Sequence, residues 1–146
     1  MSEALVFSCS GEPRGKGRPR ATTQGGFARV FTDEKTRAYE KSVGVIGRAA
    51  MKGRKPFEGP LSVSLRFRLA VPASYSKRVR ASMLAGETPY FGRNDVDNMA
   101  KAILDGLNGI AFADDVQVVR LWCTKVAAEK PGVDVRVEPL APQAPE

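Results

Sequence analysis

The groups best able to do chemistry are concentrated in one stretch, Arg93 to Asp115, which reads RNDVDNMAKAILDGLNGIAFADD. It holds the carboxylates Asp95, Asp97, Asp105, Asp114 and Asp115 and the cations Arg93 and Lys101, a formal charge of −3 inside a chain whose total is +7. Asp95 and Asp97 stand at a loop-to-helix junction, where two carboxylates two residues apart can reach a common point. If the element that follows Asp114 and Asp115 lies beside that helix, three or four carboxylates converge. Hard oxygen donors with no nitrogen or sulfur among them select Mg2+, with Mn2+ as a substitute, over zinc or copper. Lys101, one helical turn after Asp97, would offset negative charge developing on a phosphate. The same residues have plainer readings: aspartate is common at helix N-termini, Asp97 and Lys101 have the spacing of a surface ion pair, and Asp-Asp is common in turns.

The chain contains no histidine, which excludes Ser-His-Asp and Cys-His catalysis and histidine-ligated zinc. A calcium loop is disfavoured, because the twelve-residue pattern with its central glycine and terminal glutamate is missing. Cys9 and Cys123 lie in apolar runs without C-x-x-C spacing and read as free, buried thiols. The positive charge outside the acidic stretch favours an anionic partner such as nucleic acid. Within SGEPRGKGRPR, Arg14, Lys16, Arg18 and Arg20 fall on alternate positions, so an extended backbone aims them the same way. They are candidate phosphate contacts, with a solvated loop as the alternative. Lys77, Arg78 and Arg93 add to the candidate DNA-binding set.

The elements that must position these groups follow from periodicity. Ala4 to Cys9 is expected as a strand apolar on both faces. Gln24 to Gly26 is a turn, and Ala28 to Phe31 a brief strand. Thr32 is expected to cap a helix reaching about Lys52, with Asp33 and Glu34 in its first turn. Leu61 to Val71 alternates cleanly as a half-buried strand that leaves Arg66 and Arg68 on the wet face. Ser74 to Ala85 suggests a short basic helix. Asp95 or Asn94 can cap a helix from Val96 to about Leu107, with Val96, Met99, Ala100, Ile103, Leu104 and Leu107 on one side and Asp97, Lys101, Asp105 and Asn108 on the other. Asn108 and Gly109 end it. Asp114-Asp115 opens a strand, Val116 to Val126, and Val133 to Val137 forms the last. This order predicts an α+β fold, a mixed or largely antiparallel sheet with helices packed on one face. One domain over residues 1–139 and a flexible tail over 140–146 are expected. No run approaches the roughly 18 apolar residues of a membrane span, and Met1 to Ser10 lacks signal-peptide features, so a cytoplasmic location is expected.

The combination DVDNMAKAILDGLNG followed by ADDVQV, supported by the early G-x-P-x-x-K-G-R-P-R-like segment and the Pro72 to Leu84 region, resembles the RusA-type Holliday-junction resolvases. These are small endonucleases common in bacteria and their prophages, and the resemblance covers most of the chain. It implies a homodimeric, Mg2+-dependent endonuclease that binds four-way DNA junctions and makes paired, symmetric nicks. Carried over by position, it makes Asp95, Asp97 and Asp115 the metal-holding carboxylates and Lys101 the catalytic lysine. Asp114 aligns with a neighbour of lesser importance, as a further metal contact or a support to one. Arg93-Asn94 stands where many relatives have a basic residue and a proline, and Ala113 where a larger residue is common. A non-catalytic, basic nucleic-acid-binding protein with a structural acidic cluster is the alternative.

Overall fold

The computed structural model describes residues 3–15, 20–22, 29–31 and 34–140. The expected turn at Gln24 to Gly26, the Thr32 cap with Asp33, and residues 141–146 of the expected tail lie outside the described residues. Leu140 donates its backbone N–H to the carbonyl of Pro60 at 3.0 Å.

Four strands make the main sheet: β1 (Leu5–Ser10), β4 (Leu61–Leu69), β5 (Val118–Ala127) and β6 (Gly132–Pro139), in the order β1-β6-β4-β5. β6 runs antiparallel to both β1 and β4, whereas β4 and β5 are parallel, so the sheet is mixed. A parallel pair needs a crossover connection, and residues between β4 and β5 supply it with α2 (Lys77–Leu84) and α3 (Val96–Leu107). α1 (Glu34–Met51) precedes β4, and the short strands β2 (Arg20–Thr22) and β3 (Arg29–Phe31) form a separate antiparallel pair.

The period of two in β4 puts Leu61, Val63, Leu65, Phe67 and Leu69 into the core, and Val133, Val135 and Val137 of β6 continue the same layer. Among the described residues, helices cover only that face. β1 therefore departs from expectation: Leu5, Phe7 and Cys9 are buried, but Val6 is 60% exposed. An apolar run shows that a strand could be buried on both faces, not that a second layer exists to bury it. Both cysteines are free, Cys9 buried and Cys123 half-buried.

α3 buries Met99, Ala100, Ala102, Ile103, Gly106 and Leu107, while Val96 and Leu104 are half-buried against the core. At roughly 1.5–3 kcal/mol for each fully buried large side chain, Met99, Ile103 and Leu107 anchor the helix by packing. Capping contributes less than expected, because the Asp95 side chain makes no capping hydrogen bond. α3 crosses α1 at two glycines. A Cβ on Gly106 would stand 2.8 Å from the carbonyl oxygen of Glu40, and one on Gly44 would stand 2.9 Å from that of Gly106. The backbones approach too closely there for any side chain.

Candidate active site

The polar side of α3 is a stripe. Asp97, Lys101 and Asp105 follow one another at i, i+4 and i+8, each step about 6 Å along the axis at ~1.5 Å per residue. Asp97 and Lys101 are exposed and Asp105 half-buried. Asp97 and Lys101 form no direct ion pair among the described residues, so the plain surface-pair reading of their spacing is not what the structure holds. Asp95 sits at the N-cap position with its carboxylate turned to Asn98, whose Nδ2 donates to Oδ2 at 3.2 Å.

Asp114 and Asp115 do not open a strand directly. Asp115–Gln117 is a single 3-10 turn with Asp114 as its cap, and β5 begins only at Val118. Val116 N–H donates to Asp114 Oδ1 at 3.2 Å. Gln117 then closes the turn from the other side: its Oε1 accepts from the N–H of Ala113 (3.0 Å) and of Asp114 (3.3 Å). Its Nε2 donates to the carbonyls of Phe57 (2.9 Å) and Gly59 (3.0 Å). One amide side chain thus ties the acidic turn to the loop between α1 and β4. The glutamine of the D-D-x-Q pattern carried this signal, although only geometry shows what it fastens.

A hydrogen bond to Asp114 pushes the Asp115 carboxyl above its ordinary value of 3.8. Partial desolvation, the charge of Asp114 and, more weakly, that of Asp105 add to the rise, and Lys101 opposes it. The charges that reach Asp115 are therefore those of its neighbour and of the C-terminal part of the α3 stripe. Asp95 and Asp97 lie further up the helix. Among the described residues, no three acidic or thiol side chains stand together as a ready cation cage. The expected convergence of Asp95 and Asp97 with Asp114 and Asp115 is not closed in this structure. The chemistry of the donors nevertheless fits a hard divalent cation: they are carboxylate oxygens, histidine is absent, and the adjacent acids Asp114 and Asp115 crowd negative charge that a cation would relieve.

The loop leading into α3 is fastened by residues outside the motif. Lys125 Nζ donates to the carbonyls of Asn94 (2.7 Å) and Gly92 (3.3 Å) and lies 5.6 Å from the centre of the Tyr90 ring. Tyr90 in turn donates its hydroxyl to Asn94 Oδ1 at 2.9 Å. A lysine on an inward-facing position of β5 thereby holds the backbone immediately before Asp95.

The candidate DNA contacts distribute unevenly. Pro13 is buried, and Gly15 lies against α3, where a Cβ would stand 3.2 Å from that of Asn98. The start of the basic segment, with exposed Arg14, is therefore beside the first turn of α3. Lys16 and Arg18 lie outside the described residues, and Arg20 opens β2. Lys77 and Arg78 begin α2, a place where the helix dipole disfavours cations. Arg93 is exposed two residues before Asp95, next to the exposed Phe91, whose ring is tilted against Tyr75 at 5.7 Å. No described helix is long and apolar enough to cross a membrane.

The chain is similar to the uncharacterized protein YqaN of Bacillus subtilis (strain 168), at 27% identity over 141 residues, which are 95% of this chain and 99% of that protein. A family model described as endodeoxyribonuclease RusA matches residues 10–138, which include the whole acidic stretch, the α3 stripe and the Gln117 turn. The chain belongs to the RusA family of endodeoxyribonucleases.

Proposed function

We propose that the protein is a divalent-cation-dependent endonuclease that binds four-way DNA junctions as a homodimer and resolves them by paired, symmetric nicks. The observation that carries this reading is the pinned Asp114–Asp115 turn within electrostatic reach of Lys101, in a chain of the RusA family. Asp95, Asp97 and Asp115 would hold Mg2+ or Mn2+, with Asp114 beside them. The cation would supply the polarisation of the phosphate and the acidity of an attacking water. Lys101, exposed between Asp97 and Asp105, offsets charge on the phosphate oxygens. Arg14 and the basic segment after it, with Lys77, Arg78 and Arg93, hold the DNA backbone around the acids. Two such sites match the approximate two-fold symmetry of a four-way junction. Support for a second copy comes from β5, a ten-residue edge strand with Val119 63% and Leu121 45% exposed, since natural proteins usually cover such an edge. The cytoplasm is the compartment that gives such an enzyme its DNA.

Asp97→Asn tests the reading on a synthetic four-way junction in Mg2+. Cleavage is expected to be lost, with junction binding equal to or tighter than wild type, because a donor and a negative charge go together. Full cleavage by that variant refutes the assignment. Paired nicks should vanish in EDTA, and binding without cleavage in Mg2+ returns the non-catalytic alternative. A complex that sediments with one protein chain per junction overturns the dimer.

A further inference from the structure

The face of the sheet turned away from the helices is open, and its side chains are not those of an inert surface. Residues paired across strands share a face. The registers Trp122↔Ser64, Ser64↔Arg136 and Val6↔Arg136 therefore lay one row across all four strands, with Trp122 at one end. Trp122 is 68% exposed. Arg120 precedes it by two residues on the same face, and Arg66 lies on the neighbouring strand one row away. A shallow groove of about 330 Å³ runs beside the indole, between Val6, Ser64, Arg66 and Arg136.

The charges of this face are asymmetric. Asp134 is engaged by Arg68 at 3.3 Å, and Glu138 by Arg136 at 3.2 Å. Arg66 and Arg120 are exposed and form no ion pair among the described residues; Asp134 stands opposite Arg66 in the register and lines the groove but is engaged by Arg68, so Arg66, Arg68, Arg120 and Arg136 outnumber Asp134 and Glu138 around the aromatic ring. A second copy laid on this face would bring the same excess of positive charge against it. A polyanion bearing flat apolar rings satisfies both features: phosphates meet Arg66 and Arg120, and a base stacks on the indole. Base pairs inside a duplex hide their faces, whereas unpaired nucleotides expose them.

We infer that the open sheet face, centred on Trp122 with Arg66 and Arg120, binds unpaired nucleotides of a DNA strand by base stacking and phosphate pairing. This surface is separate from the α3 stripe and the Asp114–Asp115 turn, and it requires neither a divalent cation nor cleavage.

Trp122 is the only tryptophan of the chain, so its fluorescence reports on this face directly. Oligothymidylate titrated into the full chain in EDTA at low salt is expected to quench the emission saturably. Duplex of equal length should quench it far less. Arg66→Ala and Arg120→Ala should each weaken binding and lower the log–log salt slope by about 0.7, the value for one phosphate contact on a single strand. Trp122→Ala, read by anisotropy of a labelled oligonucleotide, should bind roughly tenfold more weakly. Because the side chain is exposed, its urea midpoint should match wild type, which separates lost binding from lost folding. Oligonucleotide binding without quenching, equal quenching by duplex, or emission that shifts with protein concentration in the absence of DNA would each overturn the inference. The last result would mean that a second copy covers the face. Working in EDTA keeps all of these outcomes independent of the proposed nuclease activity.

Discussion

Replacing Gln117 by leucine removes the side chain that joins the acidic turn to the body of the protein while keeping a similar volume. Four hydrogen bonds are lost: two donated by Nε2 to Phe57 and Gly59, and two accepted by Oε1 from Ala113 and Asp114. At a net ~0.5–1.5 kcal/mol each, the naive loss runs to several kcal/mol. Only the bond to Phe57 is part-buried, however, and the other three groups can turn to water. A loss of about 2 kcal/mol is the better figure, and with a urea slope near 2 kcal/mol per molar it moves the midpoint by about 1 M. The functional effect should exceed the stability effect. The folded variant should bind a four-way junction as wild type does but cut it at least tenfold more slowly in single turnover, because Asp115 is no longer held toward α3. Gln117→Glu separates geometry from chemistry, since it keeps the acceptor but turns a carboxylate on the carbonyls of Phe57 and Gly59. It should be no less damaging than leucine at neutral pH. A Gln117→Leu protein within about 0.5 kcal/mol of wild type and cutting at the same rate refutes the claim that this amide positions the turn.

Three further perturbations test other joints of the same assembly. Gly106→Ala forces a methyl to within 2.8 Å of the Glu40 carbonyl; overpacking of about 1–3 kcal/mol, offset by up to ~1 kcal/mol of helix propensity, leaves a net loss near 1–2 kcal/mol in urea unfolding. A variant more stable than wild type would show that α1 and α3 are not in backbone contact there. Lys125→Met removes two charge-assisted bonds to the loop before Asp95 and should cost roughly 1–3 kcal/mol while slowing cleavage more than it weakens junction binding; unchanged cleavage would free that loop from Lys125. The pH dependence has a definite sign. Because the Asp115 carboxyl is raised in the folded state above its ordinary 3.8, its contribution to stability is full below that value and is lost as pH rises through the raised one. Asp115→Asn, unfolded in urea with EDTA present, should therefore lack part of the wild-type decline in that window and be at least as stable at neutrality. A wild-type curve that climbs there more steeply than the variant's would reverse the assignment.

What could be read without coordinates was local. The 3.6-residue period of Val96 to Leu107 separated the buried side of α3 from the Asp97, Lys101 and Asp105 stripe, and the period of two in Leu61 to Leu69 defined a half-buried strand. What escaped was relational. Nothing in the sequence pattern around Lys125 says that its ammonium reaches the carbonyls of Gly92 and Asn94, more than thirty residues earlier. Nor does the sequence pattern mark Gly44 and Gly106 as the points where the backbones of α1 and α3 meet. Val6 is exposed where its apolar run predicts burial, because burial of a second face depends on a layer elsewhere in the chain. Spacing showed that Asp95 and Asp97 share a helix start, but it put Asp114 and Asp115 at the head of a strand rather than in the 3-10 turn that precedes it, and it could not show how far apart the two pairs stand.

That separation is set by rigid parts rather than by the acids themselves. α3 is held by Met99, Ile103 and Leu107 and by the glycine crossing with α1, the loop before it by Lys125 and Tyr90, and the acidic turn by Gln117. Like charges repel, so carboxylates left to themselves would spread apart; Asp114 and Asp115 instead stand close enough to share a hydrogen bond, the main cause of the raised Asp115 carboxyl, to which desolvation and the charge of Asp114 add. The fasteners thus hold both acidic groups through the backbone, and on the proposed reading a cation and DNA would meet groups already positioned. This is why disturbing Gln117 or Lys125, neither of which needs to touch the phosphate, should cost cleavage more than it costs affinity.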